Sequence, residues 1–500
     1  MSSINQDLFN WRRTGFFVQC LSICFASQIY AEVSNPNSDE VSTLSGSRPN
    51  IIFFLADDQS ISDHTTYGND KVPTEVTQAF SQESLVFNNA FTGQAICAPS
   101  RSMLLTGLYP LRNGCFINHT AIRPGLKTLP TYLREQGYDV LLVGKSHLKP
   151  ADQFPWTQWI PPVKKEGYPR PGISIQAVDE YLGEREKPFC LIIASEYPHG
   201  PYFKESKFKP EAVSLPPFQY DNLGSRNYFG RYYTSIEEKE NEFAAILDLV
   251  DKHDLKNETI VFYADDHGMA RGKFTVYKSG LNVAFMVRWP GNIQPGRSNA
   301  LVSFADFVPT VLDLADKKTS PKSLNFDGKS LLSIFEGLST HQHQYLYGVG
   351  NSQGIQNRHI FPQRSIYDGR YNYIYSFNAN ERLAKLNVKD PVSYYFYKFG
   401  ADKHKETPEE ELYDTLNDPF EMNNLAKDAE LHSIKSQLKT ALFSWMNSQK
   451  DYLSESGTIP FFNVWRHELD AQGPQFNYHI SADKVGSLEG KKVNPHNFGI

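Results

Sequence analysis

The sequence predicts an α/β fold: a large, mostly parallel sheet flanked by helices, then a smaller C-terminal α+β subdomain with a short antiparallel sheet. Two observations predict the first part. Continuous apolar runs of strand length recur and end abruptly in polar residues, and helical patterns separate them. A third predicts the second part: after about residue 345 the pattern becomes alternating and tyrosine-rich. The 500 residues, 40% hydrophobic and 21% charged, suit a folded protein with a substantial core. A net charge of −6 gives no overall field for a nucleic-acid backbone, so anion recognition must come from a local basic site.

Residues 1–31 read as an export signal. Arg12 and Arg13 precede the apolar stretch "GFFVQCLSICFA", which is too short to span a bilayer, and cleavage fits after Ala26 or Ala31. The alternative is an uncleaved anchor or a buried helix. With the signal removed, no membrane span is expected. Cys20 and Cys24 lie inside the signal. Cys97, Cys115 and Cys190 remain, too few for a disulfide scaffold. Cys115 and Cys190 either pair or stand as buried thiols.

The first strand is "NIIFFLADD", followed by "YDVLLVGKSH", "PFCLIIASEYPHG", "ETIVFYADDHG" and "NVAFMVRWPG". Helices are expected at "PSRSMLLTGLY", with Pro99 in the first turn, and at "LPTYLREQG", ending on Gly137. Two more are "RYYTSIEEKENEFAAILDLVDKHDL" and "FADFVPTVLDLAD", the latter with a proline inside. "RSIYDGRYNYIYSF" reads as a hairpin turning at Asp368-Gly369, "EELYDTLNDPFEMNNLA" as turn-rich, and "ELHSIKSQLKTALFSWMNSQ" as a packing helix. The boundaries are 46–345 for the main domain, 346–450 for the C-terminal subdomain and 451–500 for a polar tail.

Open α/β sheets bind ligands at the carboxyl ends of their strands. Asp57, Asp58, Lys145, His147, His199, Asp266 and His267 fall at those ends. Adjacent carboxylates at two strand ends are costly unless a positive group sits there. Oxygen ligands with one imidazole suit a hard divalent cation: Ca²⁺, with Mg²⁺ or Mn²⁺ as alternatives. Arg101, Lys145 and Lys273 beside these carboxylates suit a tetrahedral oxyanion, sulfate or phosphate. His147 and His199 are candidate proton carriers. Trp156 and Trp159, in "DQFPWTQWIPP", either stack on sugar rings or pack in the core.

Five segments carry a family resemblance. "CAPSRSMLLTG", Cys97 to Gly107, resembles the type I sulfatase signature, and "GYDVLLVGKSH" its second signature. "RPNIIFFLADD", "ADDHG" and "ELYDTLNDPFEMNNL" resemble the opening strand, the second metal segment and the C-terminal motif. The resemblance implies an alkaline-phosphatase-like fold and a formylglycine-dependent sulfatase. Cys97 would be oxidised to an aldehyde by a formylglycine-generating enzyme or an anaerobic maturase, which reads Pro99 and Arg101. One oxygen of its hydrate would attack sulfur and the other would later expel the sulfate. Asp57, Asp58, the modified Cys97, Asp266 and His267 would hold the metal. Arg101 would hold the formylglycine hydroxyls, and Lys145 and Lys273 would neutralise sulfate oxygens. His147 would take a proton from the hydrate, and His199 would protonate the leaving group.

The resemblance also implies an exported enzyme, periplasmic or extracellular, acting on a sulfated carbohydrate, with algal polysaccharides such as carrageenan or ulvan favoured. Alternatives are a glycosaminoglycan sulfatase or sulfamidase, a phosphatase or phosphonate hydrolase of the same superfamily, and an inactive carbohydrate-binding relative. Lys278 stands where the family carries glutamate, which marks it as a candidate for an extra anionic group. Asn118 and Asn257 open glycosylation sequons.

Overall fold

The computed structural model describes residues 42–269, 273–316, 324–351, 362–377 and 408–455, and the backbone of 458–460 and 479–481. Residues 1–31, expected to be an export signal, and most of the tail lie outside the described residues. Eight strands form the main sheet: β1 (Asn50–Ala56), β2 (Leu85–Phe91), β3 (Asp139–Gly144), β4 (Gln158–Ile160), β5 (Phe189–Ala194), β6 (Thr259–Asp265), β7 (Asn282–Arg288) and β8 (Gly296–Ser303). Their order is β4-β3-β5-β1-β6-β7-β2-β8. Strand β7 runs antiparallel to both neighbours; the other pairings are parallel.

Strand β1 shows why such runs have no polar alternation. Ile51, Phe53 and Leu55 enter the core on one face, and Ile52 and Phe54 enter it on the other. Phe53 meets the Phe307 ring edge-on at 4.7 Å, and Phe54 meets Phe243 at 4.8 Å. Both faces are therefore dry, as expected of a strand covered by helices on each side. Among the described residues no helix is long and apolar enough to cross a membrane.

The structure corrects several element boundaries. The long helix runs Leu223–Lys252, eight residues ahead of its expected start, with Asn222 Oδ1 capping it by accepting the Ser225 N–H. Pro309 lies in the first turn of the helix Phe307–Ala315, where its missing N–H costs nothing. Cys115 and Cys190 are free and buried. Burial pushes the Cys115 thiol up to about 11, which makes it inert.

A second, antiparallel sheet has the order β12-β11-β10-β9, from β9 (Leu346–Gly350), β10 (Gln363–Tyr367), β11 (Tyr371–Ser376) and β12 (Glu410–Asp414). The hairpin turn closes where Asp368 Oδ1 accepts the N–H groups of Arg370 and Tyr371. The helix His432–Ser448 packs on this sheet, with Trp445 stacked on Tyr347 at 4.3 Å. Within the tail, β13 (Thr458–Pro460) and β14 (His479–Ser481) form a short antiparallel ribbon the sequence does not announce.

Candidate active site

Four neighbouring strands deliver the polar residues to one edge of the main sheet. Strand β1 ends into Asp57 and Asp58, β3 into Lys145 and His147, β5 runs on to His199, and β6 leads to Asp266 and His267. Gly144 lets β3 and β5 close together there, because a Cβ would collide with the Ala194 carbonyl oxygen. Cys97 is the first residue of the helix Cys97–Thr106, so its side chain sits at the positive end of the helix dipole.

Ligand atoms of Asp57, Asp58, Cys97 and His267 all lie within 4.8 Å of one another, and all four residues are buried. Cys97 Sγ is 3.3 Å from His267 Nε2 and 3.7 Å from Asp57 Oδ1. Asp58 Oδ1 is buried, takes no hydrogen bond and stands 3.2 Å from His267 Nε2. The other ring nitrogen of His267 lies 3.0 Å from the Gly268 carbonyl, which leaves Nε2 turned to the cluster. Asp266 lies beside the group. Its Oδ1 accepts the Asp58 N–H at 3.1 Å, and its Oδ2 accepts from Arg101 at 3.0 and 3.1 Å. The adjacent Asp265 faces away, with Oδ2 against His64 Nε2 at 2.8 Å.

Cations ring the cluster. Arg101 also reaches Asp57 Oδ1 at 3.3 Å; Lys145 Nζ pairs with Asp57, and Lys273 Nζ donates to Asp58 Oδ2 at 2.6 Å. Burial alone would raise the Cys97 thiol, but Lys145, Lys273 and His267 outweigh it and bring it well below its ordinary value. Burial would likewise raise Asp57, yet Lys145, His199 and Arg101 hold it below the usual carboxylate range. His267 is pushed up to about 9, because Asp266 and Asp58 overcome the burial that would lower it. The carboxylates thus favour positive charge at the cluster.

The two other histidines sit in different surroundings. Burial holds His147 below the ordinary imidazole value despite the Cys97 thiol beside it. Its Nε2 lies 2.6 Å from His119 Nδ1, while its Nδ1 is buried and makes no hydrogen bond. His199 Nε2 is 3.3 Å from Lys273 Nζ and 3.5 Å from Asp58 Oδ2. Burial lowers His199, but Asp57, the Cys97 thiol and Asp58 raise it further, so it gains a proton more readily than a free imidazole.

Three residues of this environment escape the sequence reading. His119 backs His147. Asn118 receives the Ala98 N–H on Oδ1 and reaches His119 Nε2 through Nδ2 at 3.2 Å. Arg170 meets His199 Nδ1 and the Gly200 carbonyl, and pairs with Glu196 at 3.2 Å. No spacing marks them, since they lie in loops remote in sequence from Ala98, His147 and His199, which they meet only through the fold. Asn118 is only 4% exposed, so its sequon cannot take a glycan on the folded chain. Lys278 is drawn inward: its N–H donates to Glu421 Oε2 at 2.7 Å, and its ammonium lies 5.2 Å from the Tyr367 ring centroid.

A buried carboxyl fixes the loop that carries His199. Glu242 accepts from Ser195 Oγ at 2.5 Å and from the Ile173 N–H at 2.9 Å, and Ser195 Oγ accepts the Tyr197 N–H at 3.0 Å. Burial raises Glu242 from 4.5 to about 7. Between those values the folded state keeps a proton that the unfolded chain releases. This group's contribution to stability is therefore greatest below about pH 4.5 and falls as pH rises to about 7, by about 3 kcal/mol in all. Glu242→Gln can accept the Ile173 N–H on its amide oxygen and donate its amide N–H to Ser195 Oγ without a charge, and its urea midpoint is expected to exceed that of wild type at about pH 8. Equal midpoints there would show that Glu242 does not carry this proton.

Comparison with known proteins places this geometry. The sulfatase family model matches residues 49–317. A protein named "Ulvan-active sulfatase" from Formosa agariphila is 44% identical over 421 residues, 83% of this chain and 84% of that one. The chain belongs to the sulfatase family. Its reaction is the hydrolysis of sulfuric esters. A second model, for the C-terminal part of N-sulphoglucosamine sulphohydrolase, matches residues 266–393 of this sulfatase. A structure from work on glycosaminoglycan metabolism by Bacteroides thetaiotaomicron aligns with TM-score 0.65 at 21% identity, over 81% of this chain and 98% of that one. The phosphonate monoester hydrolase of Agrobacterium radiobacter aligns with TM-score 0.62 at 18% identity, over 83% and 98% of the two chains. These last two likenesses concern the alkaline-phosphatase-like fold alone.

Proposed function

We propose that this sulfatase is exported by its 1–31 segment and removes sulfate from an ulvan-type polysaccharide or its oligosaccharides. The observation that carries the substrate is the 44% identity to the ulvan-active relative across most of both chains. Asp57, Asp58, residue 97 and His267, with Asp266 beside them, would hold a divalent cation, and Ca²⁺ suits a set so rich in carboxylate oxygen. The fit rests on the unbonded, buried Asp58 Oδ1 and on His267 Nε2 facing the same point. When present, the cation polarises a sulfate oxygen, and the formylglycine made from Cys97 by its maturase supplies an aldehyde hydrate as nucleophile.

The chain's own residues do the rest. Arg101, clamped by Asp57 and Asp266, holds the oxygens of residue 97 in place. Lys145 and Lys273 face the sulfate and offset the negative charge it gathers. His147, kept neutral by burial, exchanges a proton with residue 97. His199, raised above the ordinary imidazole value, protonates the departing sugar oxygen, which is a poor leaving group as an alkoxide.

The test is sulfate release from defined oligosaccharides, together with mass spectrometry of the Cys97 peptide. We expect release from ulvan fragments and a formylglycine-bearing peptide. Activity confined to aryl sulfates would defeat the substrate, and an unmodified thiol in a host with the maturase would defeat the mechanism. Faster turnover of a matched phosphate monoester would favour the phosphatase reading. The match of residues 266–393 supports one second reading, an N-sulfoglucosamine substrate, which sulfate release from N-sulfated glucosamine would favour.

A further inference from the structure

Strand β4 is the outer strand of the main sheet among the described residues. Its Trp159 is 52% exposed. A singly exposed aromatic residue needs no explanation. Trp159 differs in being fixed: its indole N–H donates to the Gly144 carbonyl at 3.0 Å. The side chain's one polar atom is thereby satisfied, and an apolar ring is left held open to solvent. Trp156 behaves otherwise, packing on the core with Phe154 stacked at 6.4 Å.

The place of the ring matters more than its exposure. Gly144 directly precedes Lys145, whose ammonium pairs with Asp57 in the active site. Residues 161–172 then form a strap, closed at its base by paired backbone bonds between Val163 and Gly172 at 2.7 and 2.9 Å. The strap leaves Trp159 and returns to the site through Arg170, which contacts His199. It carries Lys164, Lys165, Glu166 and Arg170; Arg170 pairs with Glu196 at 3.2 Å and Lys165 with Glu238 at 3.3 Å, so the strap's outward cation is Lys164. Lys164 is exposed, and Lys165 lies 3.7 Å from the Tyr168 ring centroid.

We propose that Trp159 and this basic strap form a subsite for the neighbouring anionic sugar of the polysaccharide chain. A pyranose ring would stack on the open indole face, and Lys164 would meet its anionic group, so that the polymer leaves the site across β4. The proposal rests on the polysaccharide reading given above. The two are separable, because Trp159 touches none of the reacting groups.

The experiment compares wild type with Trp159→Ala, Trp159→Phe and Lys164→Ala on ulvan oligosaccharides and on 4-nitrophenyl sulfate. Trp159→Ala is expected to raise KM for the oligosaccharides about tenfold, the scale of one lost stacking contact, with aryl sulfate kinetics unchanged. Trp159→Phe should recover most of the loss, and Lys164→Ala should raise KM only for oligosaccharides. Equal losses on both substrates, or none on oligosaccharides, would overturn the subsite. If wild type cleaves the aryl sulfate but no ulvan oligosaccharide, the substrate reading fails instead. Tryptophan fluorescence then decides the subsite: a response to the intact polymer that Trp159→Phe abolishes supports it, and an identical response in both proteins overturns it.

Discussion

Cys97→Ala is expected to lower kcat for sulfate release by a factor on the order of 10⁴–10⁶, the range seen when a covalent nucleophile is removed. The fold should survive. Cys97 opens a helix, is 2% exposed and contributes one sulfur to the packing, and alanine is the best helix former. The loss is therefore chemical, and circular dichroism and thermal melting of the variant should stay close to wild type. Cys97→Ser separates the two halves of the reaction. On the proposed mechanism its single hydroxyl would still attack sulfur from beside His267 and Asp57, but it would lack the second oxygen that expels sulfate. The expected result is at most one turnover, followed by a protein heavier by one sulfo group in intact-mass spectra. Sustained turnover by the serine variant would show that a second oxygen on residue 97 is not required.

How far this site can be read from the sequence depends on what each residue's neighbours are. Asp57-Asp58 and Asp266-His267 are legible because each ends an apolar run that must be a buried strand, and charge at such an end demands a partner. Lys145 and His147 follow from the same reasoning. Asn118 and His119 are not legible. They lie in a loop, they meet Ala98 and His147 only through the fold, and "NHT" suggests a sequon instead. Arg170 is hidden for the same reason. In the fold, β2 is masked by Asn88 and Asn89 at a register shift, and β4 by its three-residue length. The direction of β7 is not encoded in its apolar run, since burial on both faces looks the same whichever way a strand points. The long helix begins before its apolar period does, because Asn222 and not packing sets its start.

Asp58→Asn is expected to lower kcat/KM by about 10²–10³, the scale of losing one charged group that stabilises a transition state. It should also remove the protein's thermal response to Ca²⁺. Asp58 has φ of 64°, a conformation that asparagine tolerates and alanine does not, so asparagine tests the charge without straining the backbone. Its Oδ1 faces His267 without a hydrogen bond, and its Oδ2 holds Lys273 at 2.6 Å. A cation bound there stabilises only the folded state, by about 2.7 kcal/mol at a hundred times its dissociation constant. Wild type stripped with a chelator should therefore regain Tm as Ca²⁺ is added, and Asp58→Asn should regain far less. The two readouts separate the possible roles of Asp58. Loss of activity with an undiminished Ca²⁺ response would make Asp58 an anchor for Lys273 and His199 rather than a ligand. Loss of the Ca²⁺ response with activity retained would mean that the cation supports the fold but takes no part in sulfate transfer.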